Sequence, residues 1–337
     1  MKRFLKEYSG ISLIVLFFLF LSFLLYNRIE EDCYIYFRLA RNIFDGYGYV
    51  FNHFGERIES GTSILWTLIL VLLYYLPVDI VVLMKTVSVL FSIGSLILIY
   101  KLAKRFIPDP LLYHLPPFFM ILNIPFMMWS QNGLETPLYL FSIIWFLYSL
   151  TKENDNTFNL WVIPAIMMFM TRPESVVLLL ILIPFIVIKR KNAKMHVIQL
   201  GILIVFFDGL HIWRFLYFND LVVHPFYTKI EKSFKWGKAL STLKNYNIFI
   251  LMIPILTILW DRKFWFNKIQ FLSFVSFLLF YWGIKSNEDQ FKPYQRHLVS
   301  FFPLIYIISI YSYYQIKQYV KNKSFPLYYI SKTYLVI

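Results

Sequence analysis

Long apolar runs recur along the whole chain, separated by short polar stretches. Their lengths approach or reach the roughly 17 to 25 residues that a helix needs to cross about 30 Å of hydrocarbon. By this criterion the predicted spans are residues 11–26, 79–100, 111–129, 136–151, 158–171, 174–189, 196–217, 247–261, 267–284 and 298–316. The pattern predicts an all-α polytopic membrane protein with about ten transmembrane helices.

One apolar run, residues 64–77, is short for a crossing, and the sequence leaves open whether it crosses or is an interfacial or re-entrant segment. If it does not cross, the helix over 79–100 runs inward and delivers the basic residues of 101–105 to the cytoplasm. The same parity places these further basic helix ends in the cytoplasm: Lys152, Lys189, Arg190, Lys191, Lys194, Arg262, Lys263, Lys268, Lys317, Lys321 and Lys323. The alternative is that helix ends are basic on both sides. Against it, the outward turns carry most of the acidic residues.

The first apolar run follows Lys2, Arg3 and Lys6, so a signal peptide is the alternative for this segment taken alone. Because no small-residue cleavage site follows and apolar runs continue, we predict a retained helix with a cytoplasmic N-terminus. The predicted location is the plasma (inner) membrane, with residues 318–337 as a short cytoplasmic tail.

Between the first two spans lies a polar stretch, residues 28–63, that is predicted to be an outer loop. It begins with Glu31 and Asp32 and continues as a short amphipathic helix at a membrane surface. Its predicted apolar face holds Ile35, Leu39 and Ile43, and its polar face holds Arg38, Arg41 and Asp45. Gly46 and Gly48 are predicted to end the helix, and residues 60–63 to cap the next one.

The same parity sends several polar clusters to the outer side. They are residues 31–41, 56–59, 131–135, 171–174, 214–229 and 288–297. Acids beside arginines suit a reaction in which a carboxylate takes a proton from a hydroxyl while guanidinium groups hold a departing anion such as phosphate. The alternatives stay open: Glu31 and Asp32 as a solvated loop start, and Arg172 as a snorkelling residue at the interface.

Ionisable residues also occur inside one predicted span, 196–217. Asp208, His211 and Arg214 stand at successive steps of three, so we predict that they share a face. Charged groups inside a membrane helix indicate function, although a structural charge network is an equal alternative. The isolated His53, His114 and His196 are predicted to be packing or interface residues.

Composition narrows the function classes. Of 337 residues, 59% are hydrophobic and only 15% are charged, which excludes an ordinary soluble domain. The net charge of +14 reflects cations at the ends of apolar runs, so we predict no nucleic-acid partner. The single Cys33 excludes an intrachain disulfide and a multi-Cys metal site. The sequence lacks the HExxH, P-loop, GxSxG and GxGxxG patterns, so zinc proteolysis, nucleotide hydrolysis and serine hydrolysis have no support.

Several polar segments resemble one family in the same order along residues 1–317. Residues 32–42 (DCYIYFRLARN), 46–52 (GYGYVFN) and 55–59 (GERIE) resemble the first outer loop of GT-C membrane glycosyltransferases, most closely the mycobacterial terminal arabinofuranosyltransferase branch. Further matches are NGLET at 132–136, RPE at 172–174, WR at 213–214, YFNDL at 217–221, YTK at 227–229 and RH at 296–297. The chain departs from the family at Glu31, where the family has Asp, and also at residues 60–63 (SGTS) and 221–225 (LVVHP). We expect no counterpart of the family's large C-terminal outer domain.

The resemblance implies a GT-C-type bundle over residues 1–317. It also implies transfer of a sugar from a polyprenyl-phosphate donor to a hydroxyl of a glycan or lipid acceptor at the extracytoplasmic face. A prenyl chain can lie between apolar helices and present its phosphate at the interface. The alternative is a flippase or binding protein for lipid-linked sugar that performs no chemistry. The sugar, the acceptor and the stereochemical outcome stay open.

The resemblance also assigns roles to residues. Asp32 is the expected catalytic base, with Glu31 assisting it or binding a cation, and Arg172, Arg214 and Arg296 are expected to bind the donor phosphate. The residues expected to position substrates are Arg38, Arg41, Glu59, Glu135, Asp208, Asp220 and Lys229. The adjacent acids Glu31 and Asp32 are candidates for Mg²⁺, Mn²⁺ or Ca²⁺, although such sites usually need more oxygen ligands than this pair supplies.

Overall fold

The structure is a computed structural model that describes residues 2–53, 57, 59–151, 160–188, 193–220, 268–285 and 296–322. The described part is all-helical, with 77% α-helix and no strands. Its helices are α1 Lys2–Leu24, α2 Cys33–Phe44, α3 Ile64–Leu73, α4 Ile80–Phe106, α5 Leu115–Leu122, α6 Ile124–Trp129, α7 Thr136–Leu150, α8 Val162–Thr171, α9 Ser175–Ile188, α10 Ala193–Phe218, α11 Lys268–Lys285 and α12 Phe302–Asn322. Short 3-10 turns lie at Leu112–His114 and Arg296–Leu298.

Two helices are long and apolar enough to cross a membrane, Ile80–Phe106 and Lys194–Phe218. Shorter apolar helices accompany them at Ser9–Leu24, Ile64–Leu73, Leu112–Leu122, Thr136–Leu150, Val162–Thr171 and Ile269–Tyr281. The all-α prediction is confirmed for the described residues, whereas ten crossings stay a prediction. The predicted span at 247–261 lies outside the described residues.

Contacts between helices define the two ends of the bundle. At one end, here called the site end, the amide of Glu30 donates to the Asn132 carbonyl at 2.9 Å and Arg172 pairs with Glu135 at 2.8 Å. At the other end, here called the basic end, Arg105 of α4 donates to the Tyr148 carbonyl and to Thr151 Oγ1, just beyond α7. Helices α4 and α7 therefore both run from the site end to the basic end.

Neighbouring helices run the opposite way. Trp161, just before α8, donates to His196 near the start of α10 at 3.0 Å, and both helices then climb to the site end. From the site end α12 runs back, and its Lys317 lies 3.5 Å from Asp109. Helices α4, α7 and α12 therefore run in one direction between the two ends, and α8 and α10 run in the other.

Helix α3 does not traverse the bundle. It begins at the site end, where Ser63 Oγ accepts from the Trp66 amide at 3.2 Å and Trp66 Nε1 donates to the Gly133 carbonyl at 3.1 Å. It ends at the same end, because Tyr74 donates to the Phe37 carbonyl of α2 at 3.3 Å. Ten residues at 1.5 Å each reach about 15 Å, half of the hydrocarbon thickness. The sequence left open whether this segment crosses, and in the structure both ends of α3 lie at the site end. The predicted cap at 60–63 is confirmed at Ser63.

The predicted span 111–129 is not one helix. Asn123 has an extended backbone (φ −77°, ψ 113°) between α5 and α6, and its Oδ1 accepts from the Phe126 amide at 3.0 Å. Pro125, which lacks an amide hydrogen, follows at the start of α6. The apolar run is continuous in sequence, but the capping Asn and the Pro divide it.

Helix α2 forms as predicted, but its buried face differs from the predicted one. Cys33, Tyr36, Phe37 and Ala40 follow the i, i+3, i+4, i+7 pattern and are buried. Of the predicted apolar face, Leu39 is buried while Ile35 and Ile43 are only half-buried. The aromatic residues form the contact because α2 lies against α3 and residues 60–62, where Tyr36 contacts Thr62 at 3.2 Å.

Candidate functional site

A buried arginine organises the centre of the site end. Arg172 Nη2 lies 2.8 Å from Glu135 Oε1, while Nη1 lies 3.3 Å from Glu174 and 2.8 Å from His297 Nδ1. Arg172 is only 6% exposed and Glu135 only 1%. The cluster joins the start of α7, the loop between α8 and α9, and the 3-10 turn before α12.

Local sequence explains the direction of Arg172. It follows the last residue of α8 and precedes Pro173, which disfavours a helical conformation at the residue before it. Arg172 accordingly has an extended backbone (φ −143°, ψ 105°). The amide of Ser175 donates to the Arg172 carbonyl at 2.9 Å and begins α9. The chain therefore turns at Arg172 and leaves its side chain across the end of the bundle.

The charge of Arg172 is already balanced by protein groups. Burial lowers the pKa of its guanidinium, but the carboxylates of Glu135 and Glu174 outweigh this effect and raise the pKa above its ordinary value. Arg172 stays protonated, and a donor phosphate would have to compete with two carboxylates for it. Through this contact Arg172 positions Glu135.

The segment before α7 holds polar atoms that lack partners. Gln131 Nε2, Asn132 Oδ1, Glu135 Oε2 and Thr136 Oγ1 are buried and have no hydrogen-bond partner among the described residues. These side chains are 1 to 7% exposed. The two carboxylate oxygens of Glu135 differ: Oε1 pairs with Arg172, and Oε2 is unpaired.

The predicted catalytic base lies directly beside this segment. Asp32 immediately precedes α2, is half-buried and makes no capping hydrogen bond with its side chain, while Glu31 is exposed. A Cβ on Gly133, whose φ is +93°, would lie 2.9 Å from Cys33 Cβ. Contact between the start of α2 and residues 132–133 therefore brings Asp32 to the loop that leads to Glu135.

Cys33 is a buried thiol with a raised pKa. Burial, then the charge of Glu30, raises the pKa of its thiol to about 12, and Asp32 adds to the rise. The thiol is therefore protonated at neutral pH, and the residue serves as a small buried contact for Gly133.

A second buried ion pair joins the first loop to α10. Arg214 Nε lies 3.0 Å from Glu59 Oε2, and Nη2 lies 3.2 Å from Glu59 Oε1, so the contact is two-pronged. Burial raises the pKa of Glu59 to about 7, against the lowering effect of Arg214, and the charge of Asp220 raises it further. Asp220 therefore lies within electrostatic range of this pair.

Two buried tyrosines, Tyr36 and Tyr49, contact the segment that follows Glu59. Tyr36 contacts Thr62 Oγ1 at 3.2 Å, and burial and then the charge of Glu135 raise its pKa, while Arg296 lowers it. Tyr49 donates to the Gly61 carbonyl at 3.4 Å. Burial raises the pKa of Tyr49 as well, and Glu59 contributes in the same direction. Residues 59–62 thus run between the two ion pairs, and the structure brings them into one region.

Arg296 belongs to the same region. It is half-buried in the 3-10 turn before α12, with its guanidinium carbon 5.9 Å from the centroid of the Trp129 ring. Its charge acts on Tyr36. The next residue, His297, contacts Arg172 and was not among the predicted site residues. Glu174 and Tyr36 were also missed, although all three lie within or next to the sequence segments that suggested the site.

Two predicted positioning residues lie elsewhere on the first loop. Arg38 donates to the Phe51 carbonyl at 2.7 Å and to Asn52 Oδ1 at 3.0 Å. Arg41 pairs with Asp45 at 2.8 Å. Both arginines are exposed and stabilise the shape of the loop, and they do not join the Arg172 cluster.

The prediction that Asp208, His211 and Arg214 share a face is wrong. Each step of three residues turns a helix by about 300°, so Asp208 and Arg214 point about 120° apart. Asp208 is exposed, whereas Arg214 is buried. His211 packs with Phe207 and Phe169 and contacts the Phe207 carbonyl at 2.9 Å.

Three further expectations concern ligands and histidines. Lys229 lies outside the described residues. Within the described ranges, no group of three or more His, Cys, Asp or Glu side chains could hold a metal ion. The packing prediction is confirmed for His53, which stacks on Tyr47 at 3.9 Å, and for His196, which accepts from Trp161.

Comparisons with known proteins identify no relative. No family model matches the sequence, and no curated protein matches it. The functional assignment therefore depends on the residues of the site end and on their geometry.

Proposed function

We propose that this protein is a multi-pass membrane glycosyltransferase of the GT-C type. It moves a sugar from a polyprenyl-phosphate donor to a hydroxyl of a glycan or lipid acceptor. In this proposal the site end faces the extracytoplasmic side of the plasma (inner) membrane, and the N-terminus and the basic end face the cytoplasm.

The distribution of charge supports this orientation. Among described residues, acids outside the site end are few: Glu7, Asp109 and Asp208. The basic end holds Lys101, Lys104 and Arg105 of α4 with Lys317 of α12. Cations at one end with few acids match the rule for cytoplasmic ends.

Exposed apolar side chains support a lipid environment. Large hydrophobic residues of α1 and α10 are more than half exposed, among them Phe23 at 76%, Val205 at 72% and Leu216 at 77%. Exposed apolar surface along helices is typical of contact with lipid or with another apolar partner. A prenyl chain has the same chemistry as this surface.

One observation carries the proposed function. The buried Glu135 and Arg172, with the half-buried Glu174, lie beside unpaired polar atoms and the start of α2 at one end of an apolar bundle. Buried charges are costly unless they are paired, so their concentration at one end indicates a site for a polar ligand.

The proposed reaction is a displacement at the anomeric carbon. The acceptor oxygen forms a bond to this carbon as the bond from the carbon to the phosphate oxygen breaks. The hydroxyl proton passes to the Asp32 carboxylate, and the prenyl phosphate leaves as an anion. Arg296, half-buried next to Trp129, binds the phosphate. Arg172 and Arg214 hold Glu135 and Glu59 in place, next to the reacting groups.

The test is Asp32→Asn in purified protein in lipid nanodiscs, supplied with radiolabelled polyprenyl-phosphate sugars and total envelope lipid and glycan as acceptor. We expect transfer to fall at least 100-fold, with an unchanged unfolding temperature, since general-base catalysis typically contributes about 100-fold or more. Asp45→Asn, at the other end of α2, is the matched control and should retain activity. Wild-type turnover in Asp32→Asn would reject Asp32 as the base.

Thin-layer analysis of the lipid pool separates the alternative function. A transferase consumes the donor and releases prenyl phosphate. A flippase or binding protein would move glycan across the bilayer and leave the donor intact, and that result would overturn the proposed function.

A further inference from the structure

We propose that residues 131–136 form a subsite for the hydroxyl groups of a sugar ring. This inference deepens the proposed function and rests on it for the identity of the ligand. Its basis is a group of four buried polar atoms that have no partner among the described residues: Gln131 Nε2, Asn132 Oδ1, Glu135 Oε2 and Thr136 Oγ1.

Such a group requires an explanation. Buried polar atoms in folded proteins are nearly always hydrogen-bonded, and each exception costs folding free energy. The described part of the chain has seven unpaired buried side-chain atoms, and four of them lie within six consecutive residues. A bound polar ligand that completes their hydrogen bonds accounts for the concentration.

The chemistry of the four atoms selects the ligand class. Asn132 Oδ1 accepts hydrogen bonds, as does Glu135 Oε2, the second oxygen of the carboxylate that pairs with Arg172. Gln131 Nε2 only donates, and the Thr136 hydroxyl does both. Sugar hydroxyls donate and accept, so they satisfy all four. A phosphate only accepts when ionised and is repelled by Glu135. The segment therefore fits the sugar, and the phosphate lies elsewhere.

The surrounding contacts hold the segment in a fixed shape. The Asn132 carbonyl accepts from the Glu30 amide at 2.9 Å, and the Gly133 carbonyl accepts from Trp66 Nε1 at 3.1 Å. Arg172 fixes Glu135 through Oε1, which leaves Oε2 with a defined direction. Groups that are positioned before a ligand arrives bind it with less loss of conformational entropy.

The variant that tests the subsite is Asn132→Leu, and its matched control is Asn123→Leu. The side chain of Asn123 is fully engaged: it accepts from the Phe126 amide at 3.0 Å and donates to Tyr306 Oη at 3.0 Å. Asn132 has an unpaired buried oxygen instead. We expect Asn132→Leu to leave the unfolding temperature unchanged or raise it, because Asn132 Oδ1 has no hydrogen bond to lose. We expect Asn123→Leu to lower it, because the Phe126 amide and the Tyr306 hydroxyl would lose their partner.

Binding is measured with defined probes in nanodiscs. They are undecaprenyl phosphate alone, undecaprenyl phosphate carrying arabinose, mannose, glucose or galactose, and the methyl glycosides of the same four sugars. We expect at least one sugar to strengthen binding over its sugar-free counterpart. Asn132→Leu should weaken this sugar-dependent increment at least tenfold, with binding of undecaprenyl phosphate unchanged. An effect on the lipid-linked sugars assigns the subsite to the donor, and an effect on the methyl glycosides assigns it to the acceptor.

Three results would overturn the subsite. The first is wild-type sugar discrimination in Asn132→Leu, and the second is an equal loss of binding for bare undecaprenyl phosphate. The third is a loss of stability in Asn132→Leu as large as that in Asn123→Leu, which would make Asn132 a structural residue. The proposed function fails separately, by a wild-type protein that binds sugar lipid but never consumes it.

Discussion

Two buried arginines, Arg172 and Arg214, differ in whether they pair with one or both carboxylate oxygens of the glutamate beside them. Arg214 is held by both oxygens of Glu59, so this pair uses its charges on each other. Arg172 takes one oxygen of Glu135 and leaves the second oxygen buried and unpaired. At the scale of single residues, the first pair fastens a loop to a helix, and the second presents a carboxylate to a ligand.

The ionisation of Glu59 gives a residue-scale prediction. Its folded-state pKa is about 7, above the ordinary value of 4.5, so the folded protein binds more protons than the unfolded chain between these pH values. The contribution of Glu59 to stability is therefore fully present below about pH 4.5 and is lost as pH rises through 7. We expect the difference in unfolding free energy between wild type and Glu59→Gln to fall by up to about 3 kcal/mol over this range.

The measurement is thermal unfolding in nanodiscs at half-unit pH steps. Asp45→Asn serves as the control, since its carboxylate pairs on the surface with Arg41. The unfolding free energy of wild type minus that of Glu59→Gln should fall between pH 4.5 and 7. A difference that stays constant or rises would contradict the raised pKa of Glu59.

At the scale of elements, the first loop is positioned by its attachment to α10. The amide of Tyr49 donates to Tyr217 Oη at 2.9 Å, and Arg57 lies over the Tyr217 ring at 4.7 Å. Helix α2 and the non-crossing α3 pack on the same loop. This arrangement holds the start of α2, and with it Asp32, against residues 132–133.

Two glycines of this loop form a matched pair for an element-scale prediction. Gly46 (φ +86°) and Gly48 (φ +84°) share a left-handed backbone, so Ala at either costs about 1 to 2 kcal/mol of strain. A Cβ at Gly46 meets nothing within 4 Å, whereas one at Gly48 would lie 2.5 Å from Tyr217 Oη. We expect Gly48→Ala to lower the unfolding temperature further than Gly46→Ala and to reduce transfer. Equal effects of the two changes would show that the Tyr217 contact does not hold the loop.

In the molecule as a whole, the two ends of the helix bundle differ in charge. Helices alternate between the site end and the basic end, and the described acids collect at the site end. The cations of α4 and α12 therefore lie at one end of the bundle, and most of the described acids lie at the other. The orientation of the bundle in the membrane follows from it as a prediction.

That orientation can be tested by cysteine accessibility. In a Cys33→Ala background, we expect Tyr47→Cys in the first loop to react with a membrane-impermeant maleimide on intact cells. Lys101→Cys near the basic end should react only after permeabilisation. Both wild-type side chains are exposed in the structure, so burial does not limit labelling. Labelling of Lys101→Cys alone on intact cells would invert the proposed topology.

The sequence predicted helices better than it predicted contacts. The pattern of apolar and polar residues correctly predicted α2, the glycines that end it and the cap at Ser63. These features depend only on residues that are close in sequence. The break at Asn123 was missed because a single polar residue does little to the hydropathy of a long run. The roles of His297 and Glu174 were missed because their contacts with Arg172 depend on how distant segments pack. Asp208 was misplaced because steps of three residues drift around a helix.

A cryo-EM structure of the nanodisc-embedded protein with a bound polyprenyl-phosphate sugar would test the proposed site most directly. We expect the sugar ring to lie between Asp32 and residues 131–136, with the phosphate near Arg296 and the prenyl chain along the apolar helices. A lipid phosphate bound at the basic end, or a sugar ring remote from both Asp32 and Glu135, would contradict the proposed site.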